Sequence, residues 1–168
     1  SDFLIIGGGV IGLNIARQLK QIYSDSKILV IEKEMKCGLH ASGRNSGVLH
    51  AGFYYSPNSL KAKLAREGNK LLTEYCDRKK LPIRKCGKLV VETSKDEPLA
   101  MDELIRRAET NEIILEQVTE EEAREIEPRV KISGRTLFSP TTSTVNPQAI
   151  MRSMTEDALN EGVKIEHG

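Results

Sequence analysis

An α/β fold organised on a parallel sheet is what this chain of 168 residues predicts, and three observations predict it. A short apolar run, Phe3-Leu4-Ile5-Ile6, enters a glycine cluster, an amphipathic segment follows at once, and a second apolar run, Ile28-Leu29-Val30-Ile31, ends on Glu32. Continuous apolar runs of this length read as strands buried on both faces of a parallel sheet, and two of them joined by one helix make a right-handed crossover unit. Ile11, Ile15, Leu19 and Ile22 recur at helical spacing, so the connecting helix carries one apolar face that expects a core beneath it. Ser24-Asp25-Ser26 ends that helix.

From Met35 to Asn58 the chain is rich in Gly, Ser, Asn and His without a sustained period, which predicts a long loop with one short helical turn. Asn58 or Ser59 caps the next helix, whose apolar positions Leu60, Leu64, Leu71, Leu72 and Tyr75 continue to about Lys80 before Pro82 closes it. A strand over Lys88–Glu92 and an amphipathic helix over residues 97 to 111 follow. Thr119 with Glu122 forms a capping box for a short acidic helix that must end before Pro128. Arg135 to Phe138 reads as a strand, Asn146-Pro147 opens a helix to about Asn160, and Val163–Ile165 returns to the first sheet. The expected division is a cofactor-binding region over residues 1–80, part of an inserted α+β substrate region over 81–140, and a return to the first region over 141–168.

Composition narrows the partners. A net charge of +1, from 25 basic and 24 acidic residues, provides no global basic field and so predicts no nucleic-acid partner. The opening apolar run is far shorter than the roughly 18 residues of a membrane helix, and no signal-peptide pattern accompanies it. A cytoplasmic protein without a transmembrane segment is expected, with peripheral membrane contact left open. Cys37, Cys76 and Cys86 are odd in number and lack ligand spacing, so they read as structural free thiols with no metal site.

Gly7, Gly9 and Gly12 in GGGVIG are spaced for a strand that turns tightly into a helix whose terminal amides face a pyrophosphate. Glu32 stands 20 residues beyond Gly12 at the end of the next strand, where a carboxylate can accept from ribose hydroxyls and a 2′-phosphate is disfavoured. Together these predict a Rossmann-like dinucleotide site. The donor-rich segment HASGRNSGVLHAGFYY, residues 40 to 55, then offers Ser42, Arg44, Asn45, Ser46 and Gly47 to a phosphate or to the polar edge of a flavin. A plain polar surface loop has the same composition, and these residues by themselves do not choose between NAD and FAD.

The opening GGGVIG with Glu32-Lys33, then SGRNSGVLHAGFYY and SPNSLKAKL, resembles the D-amino-acid-oxidase-type superfamily of FAD oxidoreductases. Within it the chain is most similar to the L-2-hydroxyglutarate oxidase/dehydrogenase family, a likeness continued through CGKLVVE, IEP and SPTTSTVNP. The resemblance implies FAD, with its ADP half on Gly7 to Gly12 and Glu32, its isoalloxazine near Arg44 to Gly47, and Lys33 also among the cofactor-binding residues. It also implies oxidation of a small 2-hydroxy acid, with oxygen or a quinone as the electron acceptor. Family members are roughly twice this length or more, so the resemblance predicts an N-terminal fragment with an exposed sheet edge and an incomplete cofactor cleft.

His50 is the candidate base, because imidazole suits removal of the hydroxyl proton as hydride leaves the same carbon. A packing role under the flavin is the competing reading. Tyr54 and Tyr55 read as core, and Lys61, Lys63 and Arg66 as a solvated helix face. Two alternatives to the hydroxy-acid reading stand beside it: an amino-acid oxidase of the same superfamily, and a non-catalytic nucleotide-binding module formed by this segment alone.

Overall fold

The computed structural model describes residues 1–92 and 98–168. In chain order its elements are β1 (Phe3–Ile6), α1 (Val10–Ile22), β2 (Ile28–Glu32), β3 (Val48–Leu49), α2 (Leu60–Lys79), β4 (Ile83–Arg84), β5 (Lys88–Val91), α3 (Pro98–Thr110), β6 (Glu116–Val118), α4 (Glu120–Ile126), β7 (Thr136–Ser139), β8 (Ser143–Val145), α5 (Pro147–Asn160) and β9 (Lys164–His167). Glu97, expected to open the third helix, lies outside the described residues.

The chain forms two compact units, one of residues 1–47, 79–82 and 145–168 and the other of residues 48–78 and 83–144. These divide the chain at Gly47 rather than near residue 80, because α2 clusters with the strands that follow it instead of with the crossover unit.

In the first unit the strands run in the order β1-β2-β9, all parallel, with Leu4 beside Leu29 and Val30 beside Ile165. The returning strand is therefore where the sequence places it. Leu13 and Ala16 of α1, Ile28 and Val30 of β2, Met151, Met154 and Ala158 of α5, and Val163 are buried. Each large apolar side chain so buried contributes about 1.5–3 kcal/mol. Asn146 caps α5 by accepting from the Ala149 amide at 3.0 Å, and Pro147 supplies the preset first turn. Arg17 of α1 fastens the two helices by donating from Nε and Nη2 to Glu161 Oε1 at 3.0 and 2.7 Å.

Two expectations need correction here. β1 is not buried on both faces, since Leu4 is 55% and Ile6 82% exposed. Nor is the Ile11, Ile15 and Ile22 face of α1 a core face: those side chains are 73%, 47% and 61% exposed. Periodicity shows which residues share a face and not what covers it. In the described residues α1 packs through Leu13 and Ala16, and β1 pairs on one edge only.

The second unit holds the sheets β3-β8-β4 and β5-β7-β6, the latter with β5 and β6 antiparallel to β7. Its core is Ala51, Phe53, Ala108 and Ile113, against which Val90, Leu104 and Leu115 pack. Ser59 caps α2 by accepting from the Ala62 amide at 3.1 Å. Of the apolar row along α2, Leu60, Leu64 and Leu71 are exposed and Tyr75 is buried, together with Ala62, Asn69 and Cys76 outside that row. The capping box of α4 is present in both halves, with the Glu122 amide on Thr119 Oγ1 at 3.2 Å and the Thr119 amide on Glu122 Oε2 at 2.7 Å. Among the described residues no helix is long and apolar enough to cross a membrane. The three cysteines are free, with Cys76 buried, Cys37 half-buried and Cys86 exposed.

Candidate functional site

At the carboxyl ends of β1 and β2 the chain turns through Gly7, which has φ +105° and nothing within 4 Å of where a side chain would begin. Only glycine adopts that backbone freely, and the space beside it stays open. Gly9 is equally unencumbered except for Ser42 Oγ at 3.2 Å. Gly12 serves differently, as the point where α1 crosses closest to the Gly7 carbonyl. α1 begins with no acidic side chain in its first turn, which suits an anion at its positive end.

Glu32 has a structural task that the sequence did not reveal. Its Oε2 accepts from the Gly8 amide at 2.7 Å and its Oε1 from the Glu34 amide at 3.0 Å, so the buried carboxylate fastens the glycine turn to the end of β2. The Glu34 amide, opposed by burial and aided by the Gly8 amide and the charges of His40 and His167, holds this carboxyl below its ordinary pKa. Each oxygen keeps a second lone pair for a ribose hydroxyl. Beside it opens a cavity of about 600 Å³ lined by Gly7, Ile31, Glu32, Lys33, His40 and His167. Such a crevice outside the carboxyl ends of parallel strands is where dinucleotides bind in this kind of sheet.

The loop residues divide in role. Ser42 Oγ accepts from the Val10 amide at 3.0 Å, which makes it a cap for α1 supplied from 32 residues away. Asn45 folds the loop on itself, donating to the carbonyls of Ala41 and Ser42 at 3.1 and 3.0 Å and accepting from the Gly47 amide at 3.0 Å. The predicted helical turn is there, with the Arg44 amide on the His40 carbonyl at 3.0 Å. Arg44 extends to a cavity of about 490 Å³ that it lines with Cys37, Met151, Arg152 and Thr155. Lys33 and Ser46 are exposed, and Gly47 is clasped by the Val145 amide at 2.8 Å.

His50 belongs to the second unit, so it is described apart from the glycine turn. Its side chain is exposed, but its carbonyl accepts from Asn69 Nδ2 at 3.2 Å. The same amide reaches the carbonyls of Leu49 at 3.1 Å and Thr141 at 3.0 Å, so buried Asn69 ties β3 to the β7–β8 turn. Partial burial, and after it the charge of Lys88, hold His50 below its ordinary pKa. An imidazole in that state is neutral near pH 7 and ready to accept a proton. The aromatic pair after it is not core as expected: Phe53 fills the interior, Tyr54 is exposed, and Tyr55 is half-buried under Lys61 at 4.5 Å. Arg66 is not simply solvated, since it pairs with Glu112 and donates to the Asn111 carbonyl at 3.0 Å.

Sequence reasoning missed Gly8, Asn69 and Lys88. The run of three glycines was a signal for the first; the other two carry no local pattern and become visible only when the chain is folded.

The chain matches the DAO family, FAD dependent oxidoreductase, over residues 2–168. It is 41% identical over 165 residues to an L-2-hydroxyglutarate dehydrogenase, mitochondrial, of Caenorhabditis briggsae, covering 98% of this chain and 38% of that protein. It is 38% identical over 164 residues to the L-2-hydroxyglutarate dehydrogenase of Escherichia coli strain K12, covering 98% of this chain and 39% of that one. The chain thus spans well under half the length of these curated relatives. Among solved structures it is similar to the FAD-bound, dithionite-reduced L-alpha-glycerophosphate oxidase of Mycoplasma pneumoniae, with a TM-score of 0.86, 28% identity, and coverage of 99% of this chain and 44% of that one. Glycine oxidase from Geobacillus kaustophilus shares the fold, with a TM-score of 0.81, 23% identity, and coverage of 99% of this chain and 46% of that one.

Proposed function

The chain belongs to the DAO family of FAD dependent oxidoreductases, and from that premise we propose that its protein oxidises a small 2-hydroxy acid, L-2-hydroxyglutarate, to 2-oxoglutarate. The observation that carries the substrate is the near-complete alignment of this chain with relatives named for that activity. FAD, when bound, supplies the two-electron acceptor for the hydride, with oxygen or a quinone accepting the electrons afterwards.

The chain's own residues divide the remaining work. The open turn at Gly7, Gly9 and Gly12 and the positive end of α1 would hold the pyrophosphate, and Glu32 would accept from the ribose. Lys33, Ser42, Arg44, Asn45, Ser46 and Gly47 form the rest of the cofactor cradle, and the fit rests on the unfilled space beside Gly7 and Gly9 and the cavity next to Glu32. His50 takes the proton of the substrate hydroxyl on an imidazole nitrogen, which its lowered pKa keeps neutral. The Caenorhabditis briggsae relative is named as mitochondrial, whereas the name of the Escherichia coli relative gives no compartment.

The test is product identification. Purified protein expressed from its complete reading frame, with FAD bound, is incubated with L-2-hydroxyglutarate and an artificial acceptor, and 2-oxoglutarate is measured. Accumulation of 2-oxoglutarate is expected. Turnover of amino acids with none of L-2-hydroxyglutarate would overturn the proposal in favour of an amino-acid oxidase.

A further inference from the structure

A dicarboxylic hydroxy acid presents its second carboxylate a few bonds from the carbon that is oxidised. A site that prefers it to a monocarboxylate needs a cation displaced from the base by about that span. In the second unit the cation whose charge acts on His50 is Lys88. Lys88 opens β5, where strand alternation puts it on the same face as Val90, and Val90 packs against the core that contains Ala51 and Phe53. Its Nζ lies 4.6 Å from the centroid of the Tyr54 ring. That face holds an ammonium in place without neutralising it.

The platform is itself fixed. Arg107 donates from Nη1 to the Tyr54 carbonyl at 2.8 Å and is anchored through Nε to Glu103 at 2.7 Å, while Asn111 donates to the Tyr55 carbonyl at 3.2 Å. Among the described residues no carboxylate forms an ion pair with Lys88. The charge is close enough to His50 to help lower its pKa. These observations describe a half-buried cation on an aromatic rest, beside an exposed imidazole and with anion-binding capacity to spare.

We propose that Lys88, seated on Tyr54 beside His50, binds the distal carboxylate of the substrate and so selects dicarboxylic 2-hydroxy acids over monocarboxylic ones. The inference rests on the hydroxy-acid reading above. Lys88 does not itself accept the proton; it fixes which acid reaches His50.

The experiment compares wild type, Lys88→Met and Lys88→Arg in the flavin-loaded protein expressed from its complete reading frame. Inhibition of L-2-hydroxyglutarate oxidation by glutarate is set against inhibition by valerate, which has the same carbon count and one carboxylate. Loss of a charge-assisted contact predicts that Lys88→Met weakens glutarate by about 10- to 100-fold and raises KM for L-2-hydroxyglutarate by a similar factor. Valerate inhibition and flavin occupancy stay at wild-type values, and Lys88→Arg recovers most of the glutarate affinity. Equal weakening of both inhibitors, or unchanged glutarate affinity with flavin fully bound, overturns the assignment of Lys88 alone. A wild-type holoenzyme that oxidises no 2-hydroxy acid overturns the underlying reading, and this inference with it.

Discussion

Replacing Gly12 with alanine separates a packing role in the glycine turn from a binding role. A Cβ on Gly12 would stand 2.0 Å from the Gly7 carbonyl oxygen and 3.3 Å from Ile5 Cγ2, whereas side-chain carbons essentially never approach another atom closer than 3.0 Å. Either α1 or the strand end must therefore move by about 1 Å, and the atom in the way is backbone, which cannot swing aside. Overpacking of this kind costs about 1–3 kcal/mol, and the better helix propensity of alanine returns about 0.5–1 kcal/mol of it. The net loss, centred on about 1 kcal/mol and reaching about 2.5 kcal/mol, lowers Tm by about 3–7 °C in a chain of this size. Gly9→Ala is the control, because its Cβ meets only Ser42 Oγ at 3.2 Å. It should unfold near the wild-type temperature while losing flavin from the filled cradle. Thermal unfolding without added FAD, paired with flavin retention after gel filtration, reads both effects. Wild-type stability in Gly12→Ala, or a greater loss in Gly9→Ala, would refute the assignment of the two glycines.

The other predictions concern single side chains. Asn69→Ala removes the amide that holds three carbonyls and should cost about 1–3 kcal/mol in urea unfolding; an unchanged midpoint would mean those carbonyls find water instead. Glu32 has a folded pKa below its unfolded value, so its stabilising contribution is complete above about pH 4.3 and disappears as pH falls through the lower folded value. Acid unfolding of Glu32→Gln should lack that component, and matching profiles for the two proteins would count against the amide-bound carboxylate. His50→Gln should retain flavin but slow anaerobic flavin reduction by about 10²–10⁴-fold; a normal rate in the loaded variant would remove His50 from catalysis. With burial and Lys88 both lowering the His50 pKa, the acid limb of kcat/KM should lie below about pH 6.5 and move upward in Lys88→Met. A limb that does not move in the variant would place the titrating group elsewhere.

The first crossover unit could be read from sequence nearly residue by residue, because a strand, a glycine turn, a helix and a second strand are all local patterns. The capping box at Thr119 and Glu122 and the Asn146-Pro147 start of α5 were equally readable, since each cap lies within three residues of the amide it satisfies. What failed was inference about what covers a face. Ile11 and Ile15, like Leu60 and Leu64, keep helical spacing and yet stand exposed, while the less conspicuous Leu13, Ala16 and Ala62 are buried. In the candidate site the partners of the named residues were not foreseen. Ser42 reaches Val10 across 32 positions, Glu32 reaches Gly8 across 24, and Asn69 reaches Thr141 across 72. Contacts at such separations are fixed by tertiary packing and leave no periodic trace.

Anaerobic reduction of the purified holoprotein tests most directly whether substrate electrons reach a bound flavin. L-2-Hydroxyglutarate, mixed with the protein from its complete reading frame without oxygen, should bleach the visible flavin band in a single turnover, whereas the D enantiomer and glycine should leave it intact. A flavin band that persists with L-2-hydroxyglutarate but bleaches with glycine or another amino acid would contradict the account.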